Sequence, residues 1–325
     1  MDTGIFNILT RQQVYVEGVK NWFAIDLSRY LKLLRDFITA ELAKLRVKSL
    51  GDLSTASLRS LLKRIDKRSN EVLSQYGSEF LSELRRFGRI SATAQRAAYA
   101  LVKPKIDLTG VSLSSIWSAT KDRVVPAFGA TVKDTATTLV NSARDKIRQR
   151  LNTGAVDSEP IADTTEAVTS LDPKADPSTL KTIGAGLRGF AATSLQHAVS
   201  TVGDFVGSLV YDCYQWCSVI DSKTSPICRE RNGNVYRTGE GPVPPAHNHC
   251  RSHTVPVPCG DNGTVPTFYN WLLNQSAGFL SDAFGDSFAR KVAAGKVSAA
   301  DVPDVIAFPA LSLDEYELKA KMLTA

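Results

Sequence analysis

Between Asp26 and Leu45 the apolar residues Leu27, Leu31, Leu34, Ile38, Leu42 and Leu45 recur at steps of three and four. Only a helix brings such a spacing onto one side. Leu58, Leu61, Ile65, Val72, Tyr76, Phe80 and Leu84 repeat the pattern. Gly51 and Asp52 interrupt the two runs, and Ser57 is the expected N-cap of the second. Two apolar stripes of this length must bury one another, so the N-terminal part is expected to be a helical hairpin or bundle.

Helical character continues through residues 90–151, with breaks expected around Pro104 to Gly110 and at Pro126, and a good run from Asp134 to Leu151. No alternation of the strand type competes with it. Residues 152–182 change to Asp, Glu, Thr, Ser and Pro, which reads as an acidic linker or long loop. Periodicity resumes at Leu180, Ile183, Leu187, Ala191, Leu195, Val199, Val202, Val206 and Leu209, predicting a long scaffold helix. Inside it lies Gly184-Ala185-Gly186-Leu187-Arg188-Gly189, formally a dinucleotide-binding G-x-G-x-x-G. That motif needs a buried strand delivering the chain to a tight turn, and none precedes it. Small residues for close helix packing explain it better.

The formal net charge of +6 is uneven, because residues 1–110 hold 19 Lys/Arg against 11 Asp/Glu while the rest hold 20 against 22. A basic third can attract a polyanion such as DNA or an acidic protein face. Charges of both signs on a solvated helix face read equally well. With no basic start followed by an apolar core, and no apolar run of roughly 18 residues, a soluble protein with no membrane segment is expected to be made in a cytosol.

All five cysteines, Cys213, Cys217, Cys228, Cys250 and Cys259, fall in one stretch, together with His247, His249 and His253. Short strand-like pieces at Tyr214 to Ile220, Asn234 to Tyr236 and Ser252 to Val257 alternate there with turn-rich sequence. The expected fold class is therefore α+β, predominantly α-helical. Its parts are a basic helical region (1–110), a helical extension (111–151), the acidic linker (152–182) and a C-terminal α+β module with Cys/His-rich turns (183–325).

Within that module Trp216, Asp221, Lys223, Thr224, Cys228, Gly233, Pro244, Pro245, His247, Cys250 and Arg251 stand in order. They resemble the signature of the phage Mu F-like head morphogenesis proteins: an aromatic strand, D-x-[RK]-T-x-x-x-C, a glycine, then P-P-x-H-x-x-C-R. Phe268, Trp271, Gln275, Asp282, Phe284, Gly285, Gly295 and Lys296 resemble the family's tail. Ser225 stands where some members carry an earlier cysteine. The resemblance spans about residues 180–315. It implies a minor head (minor capsid) protein rather than an enzyme, a virion component added near the portal vertex during procapsid assembly and able to leave with the genome. Its implied partners are portal protein, scaffold or major capsid protein, and packaged DNA.

Two sulfurs and an imidazole can bind zinc tetrahedrally, and Cys228, His247 and Cys250 would supply three ligands of a structural zinc. Asp221, Cys217 or His249 would be the fourth. The other reading keeps Cys228 and Cys250 as buried thiols or a disulfide, with His247 capping a turn. Cys228, His247 and Asp221 also suit a nucleophile, base and orienting acid, although no glycines open space for a substrate around Cys228. Lys223 and Arg251 are candidates to hold Asp221 by charge-assisted hydrogen bonds.

Overall fold

The computed structural model describes residues 3–174, 177–219, 223–261, 263–298 and 308–324. It is 66% helical with two small sheets, which makes the chain a predominantly helical α+β protein. The helices are α1 (Thr3–Ala43), α2 (Thr55–Val102), α3 (Leu113–Asp122), α4 (Val132–Val156), α5 (Ile161–Thr169) and α6 (Thr179–Gly207). The shorter α7 (Pro226–Arg231), α8 (Phe268–Leu273), α9 (Ala277–Phe284), α10 (Asp286–Ala293) and α11 (Leu313–Met322) follow. Among the described residues no helix is long and apolar enough to cross a membrane.

The chain forms two compact units, neither continuous in sequence. One comprises Phe23–Glu83 and Lys133–Ala191, and is wholly helical. There the expected hairpin is present: Leu27, Leu31, Leu34, Ile38 and Leu42 of α1 are buried, as are Leu61, Ile65, Val72, Tyr76 and Phe80 of α2. Edge-on rings lock it, Phe23 to Phe80 at 5.5 Å and Tyr30 to Tyr76 at 5.3 Å. The second helix begins earlier than expected, since Ser54 Oγ accepts from the Ser57 amide at 3.2 Å, so Ser54 does the work assigned to Ser57. Gly184 is indeed a packing glycine: a Cβ there would stand 2.6 Å from Leu31 Cδ1.

The acidic stretch is largely not a linker. Its residues 152–156 finish α4 and 161–169 form α5, while Ser49 bridges to Pro160 and Arg150 pairs with Glu159 at 2.7 Å. Acidic and Thr-rich composition hid the helix because its buried residues are Thr164, Val168 and Thr169, two of them threonines.

The other unit comprises Met1–Trp22, Leu84–Val132 and Ala192–Ala325. It holds a two-residue hairpin, β1 (Val124–Val125) with β2 (Ala130–Thr131), where sequence suggested only a break at Pro126. It also holds an antiparallel sheet of order β4-β3-β5, formed by β3 (Cys213–Cys217), β4 (Val235–Arg237) and β5 (His253–Val257). Every residue of β3 is buried, as expected of a central strand. Cys213 pairs with both Arg237 and Val257, and a Cys213–Cys259 disulfide closes the far end of the sheet.

Candidate functional site

The site lies at the other end of β3. Trp216 is fully buried and packs with Cys228 and Cys250, flanked by Tyr236 and Ala246. Its Nε1–H donates to Ser218 Oγ at 2.9 Å, and Arg231 sits 5.2 Å over its ring. Gly233, at φ +87°, donates its amide to the Trp216 carbonyl at 2.8 Å, a turn conformation that a side chain would strain.

Cys228 is carried by α7, whose first turn is built by Ser225 as N-cap and Pro226 at the first helical position. Ser225 is thus the residue that starts the helix. His247 and Cys250 lie on the turn leading into β5, where the Cys250 amide donates to the His247 carbonyl at 3.2 Å.

The three side chains meet. Their ligand atoms lie within 4.8 Å of one another, with Cys228 Sγ 3.1 Å from His247 Nε2 and 3.8 Å from Cys250 Sγ. Both cysteines are buried and His247 is half-buried. His247 Nδ1 lies 2.8 Å from the Asn248 carbonyl, and a carbonyl only accepts, so Nδ1 carries the proton and Nε2 faces the sulfurs.

The two sulfurs share their proton load unequally. Cys250 is held far below the usual thiol range, chiefly by the hydrogen bond from Cys228, with His247 and backbone amides adding to it against the opposing effect of burial. Cys228 is pushed up, first by that same bond and then by burial. His247 is raised by hydrogen bonding to Cys250.

Cys228, His247 and Cys250 could hold a metal ion such as zinc. Two thiolates about 2.3 Å from one ion at the tetrahedral angle stand about 3.8 Å apart, the separation found here. A sulfur and an imidazole nitrogen on the same ion would stand about 3.6 Å apart, so the ring must draw back by roughly half an ångström. The Nδ1–H bond to a backbone carbonyl is the usual orienting contact of a metal-bound histidine. The alternative of a Cys228–Cys250 disulfide does not hold in this structure, because the sulfurs are not bonded and the disulfide is Cys213–Cys259. Sequence reading missed that pair, which becomes evident only once β3 and β5 are known to be neighbours.

Of the suggested fourth ligands, Cys217 is buried away from the cluster with its thiol directed at the Gln215 carbonyl, and burial pushes its titration up. His249 is exposed with a left-handed backbone at φ +58° and is not in the cluster. Asp221 lies outside the described residues, and so does the expectation that Lys223 and Arg251 hold it.

Three of the tail residues, Trp271, Gln275 and Asp282, converge on α1. Trp271 Nε1 donates to Asn7 Oδ1 at 2.9 Å, Arg11 Nε donates to Gln275 Oε1 at 2.9 Å, and Tyr15 OH donates to Asp282 Oδ2 at 2.7 Å. Asn7, Arg11 and Tyr15 are four apart, so they form one ridge of that helix. Gly285, at φ +89°, makes the turn between α9 and α10.

A buried polar cluster under Cys250, built from Gln13, Glu17 and Lys20 of α1 with Gln196 of α6, escaped the sequence reading. Lys20 Nζ donates to Glu17 Oε1 at 2.6 Å, Gln196 Oε1 at 2.8 Å and the Cys250 carbonyl at 3.0 Å. No family model, curated protein or solved structure matches the chain.

Proposed function

We propose that the chain is a phage minor head protein of the Mu F-like kind, acting in procapsid assembly near the portal vertex. In this reading its C-terminal module is architectural and not catalytic. One observation carries it: Trp216, Cys228, His247 and Cys250 of the first motif form one buried cluster, while Trp271, Gln275 and Asp282 of the second bind one ridge of α1. Both motifs thus serve to hold a small unit in shape, which is what an assembly component requires.

A structural zinc on Cys228, His247 and Cys250 belongs to this reading. It would neutralise the two thiolates and fix α7 to the turn before β5. Purified protein should then contain one metal per chain, and a chelator should remove it with loss of ordered structure. Metal-free protein of unchanged circular dichroism would end the zinc assignment.

The competing reading is a cysteine-dependent hydrolase at Cys228, His247 and Asp221. Cys228 stands 3.1 Å from the imidazole, but it is 2% exposed and pushed up in pKa, whereas a nucleophilic cysteine is accessible and ionised. Retention of any hydrolytic activity by Cys228→Ala would remove this alternative; its specific loss in a folded variant would revive it.

Contact with packaged DNA, or free DNA binding by the N-terminal helices, has a specific observation in its favour. Residues 44–68 hold eight Lys/Arg and two acids. Asp66 is already paired with Arg144 and Arg148, and Asp52 caps the turn through the Ser49 amide. Arg46, Lys48, Arg59, Lys63 and Lys67 are exposed and make no ion pair among the described residues.

The head assignment is tested in particles of the phage encoding the chain. Quantitative mass spectrometry and density maps of purified heads should find a few copies at the portal vertex, and deleting the gene should reduce infectious heads. Absence of the chain from mature heads and procapsids alike refutes it.

A further inference from the structure

We infer that Lys20 is a positioning residue for the two cysteines of the cluster, so that the seating of α1 governs the geometry of Cys228 and Cys250. Lys20 is 6% exposed, and all three of its ammonium hydrogens are taken, by Glu17, Gln196 and the carbonyl of Cys250 itself. Burying an ammonium costs several kcal/mol unless it is matched in this way. An apolar side chain would fill the same space at less cost, so what the lysine contributes lies in the groups it holds.

Its neighbours extend the hold to the second cysteine. Gln196 Nε2 donates to the Ser252 carbonyl at 2.9 Å and to Gln13 Oε1 at 3.1 Å, while Gln13 Nε2 donates back to Gln196 Oε1 and to Glu17. The carbonyls on either side of Arg251 are thereby fixed from α1 and α6. Ser252 Oγ lies 3.0 Å from Ser218 Oγ, which donates to the Cys228 carbonyl at 2.8 Å. Hydrogen bonds therefore run from Glu17 and Lys20 directly to the backbone of Cys250 and, through the covalent frame of Ser252, to that of Cys228. Gln13, Glu17 and Lys20 occupy a different side of α1 from the ridge that the tail residues bind, so the helix is keyed twice within one unit.

The metal arm of the test rests on the zinc reading above; the thiol arm does not. Zinc affinity of the full-length wild type, Lys20→Met and Lys20→Arg would be measured by competition with a chromogenic chelator. The cobalt-substituted spectra would be recorded alongside, and alkylation rates of Cys228 and Cys250 would be mapped by mass spectrometry with Cys217 as internal control. Lys20→Met should weaken zinc binding about 10- to 100-fold, the usual loss when a group orienting a ligand is removed. It should also alter the thiolate-to-cobalt bands and speed alkylation of the two cluster cysteines without changing Cys217. Lys20→Arg, which keeps the charge, should recover part of each effect.

Unchanged affinity and spectra in a folded Lys20→Met overturn the proposal and leave the zinc reading standing. If the wild type binds no zinc, that reading fails by itself, and the alkylation rates alone decide: faster in Lys20→Met supports the positioning role, equal refutes it. Should Lys20→Met not fold, Gln196→Met takes its place, with the same outcomes, because it removes an acceptor of Lys20 and the donor to Ser252.

Discussion

The unpaired cations on the first helical hairpin permit a quantitative prediction. Arg59, Lys63 and Lys67 are four residues apart on α2, so at about 1.5 Å per residue they stand about 6 Å apart along one line. Arg46 and Lys48 lie on the connection before that helix, and no large apolar side chain is exposed anywhere between residues 44 and 68. A protein partner would find no apolar centre there, and a single strand would find no ring to stack on. A duplex backbone needs neither.

If all five cations contact phosphates, the logarithm of the association constant should fall with the logarithm of salt concentration at a slope of about −4.5, taking about −0.9 per phosphate. Between 50 and 200 mM salt the affinity would drop about 500-fold. Replacing Arg59, Lys63 and Lys67 with glutamine should reduce the slope to about −1.8 and the drop to about 12-fold. Fluorescence anisotropy with a labelled duplex of arbitrary sequence measures both. A wild-type slope shallower than about −1, or an unchanged slope in the triple variant, would refute the assignment of this surface to DNA.

Other outcomes follow from packing and titration. Trp216→Ala, which empties a fully buried site against both cluster cysteines, should cost about 3–5 kcal/mol in urea unfolding; a cost under about 1 kcal/mol would mean that this core is not formed. Gly18→Ala, normally a gain in a helix, should instead destabilise by about 1–3 kcal/mol, because its Cβ would lie 2.6 Å from the Pro309 carbonyl oxygen; a raised melting temperature would contradict that contact. Burial lowers His197 and His253 to about 4, so each is neutral when folded and takes up a proton on unfolding below its ordinary pKa of 6.5. Stability should be full above pH 6.5 and decline as pH falls toward 4, by about 3 kcal/mol for His197, and His197→Leu should flatten the decline in urea midpoints measured across that range.

Much of the fold is legible in the sequence where one physical signal dominates. The stripe from Leu27 to Leu42 is buried as its spacing requires, and Gly184 of α6 packs closely against Leu31. Cys228, His247 and Cys250 meet because Gly233, Ser225 and Pro226 make turns whose chemistry is readable one residue at a time. What was not legible depends on partners distant in sequence. Helix α5 hides its buried face in threonines, and the Cys213–Cys259 bridge follows from strand order. The burial of Lys20 depends on a carbonyl 230 residues away.

The ridge on α1 has a consequence in time. Asn7, Arg11 and Tyr15 are synthesised 264 to 267 residues before their partners Trp271, Gln275 and Asp282. At about 5–20 residues per second that ridge must wait roughly 15–50 s for what completes it. During that interval the ridge has no native partner, which leaves this face of α1 open to chaperone capture or mispairing until the tail is made.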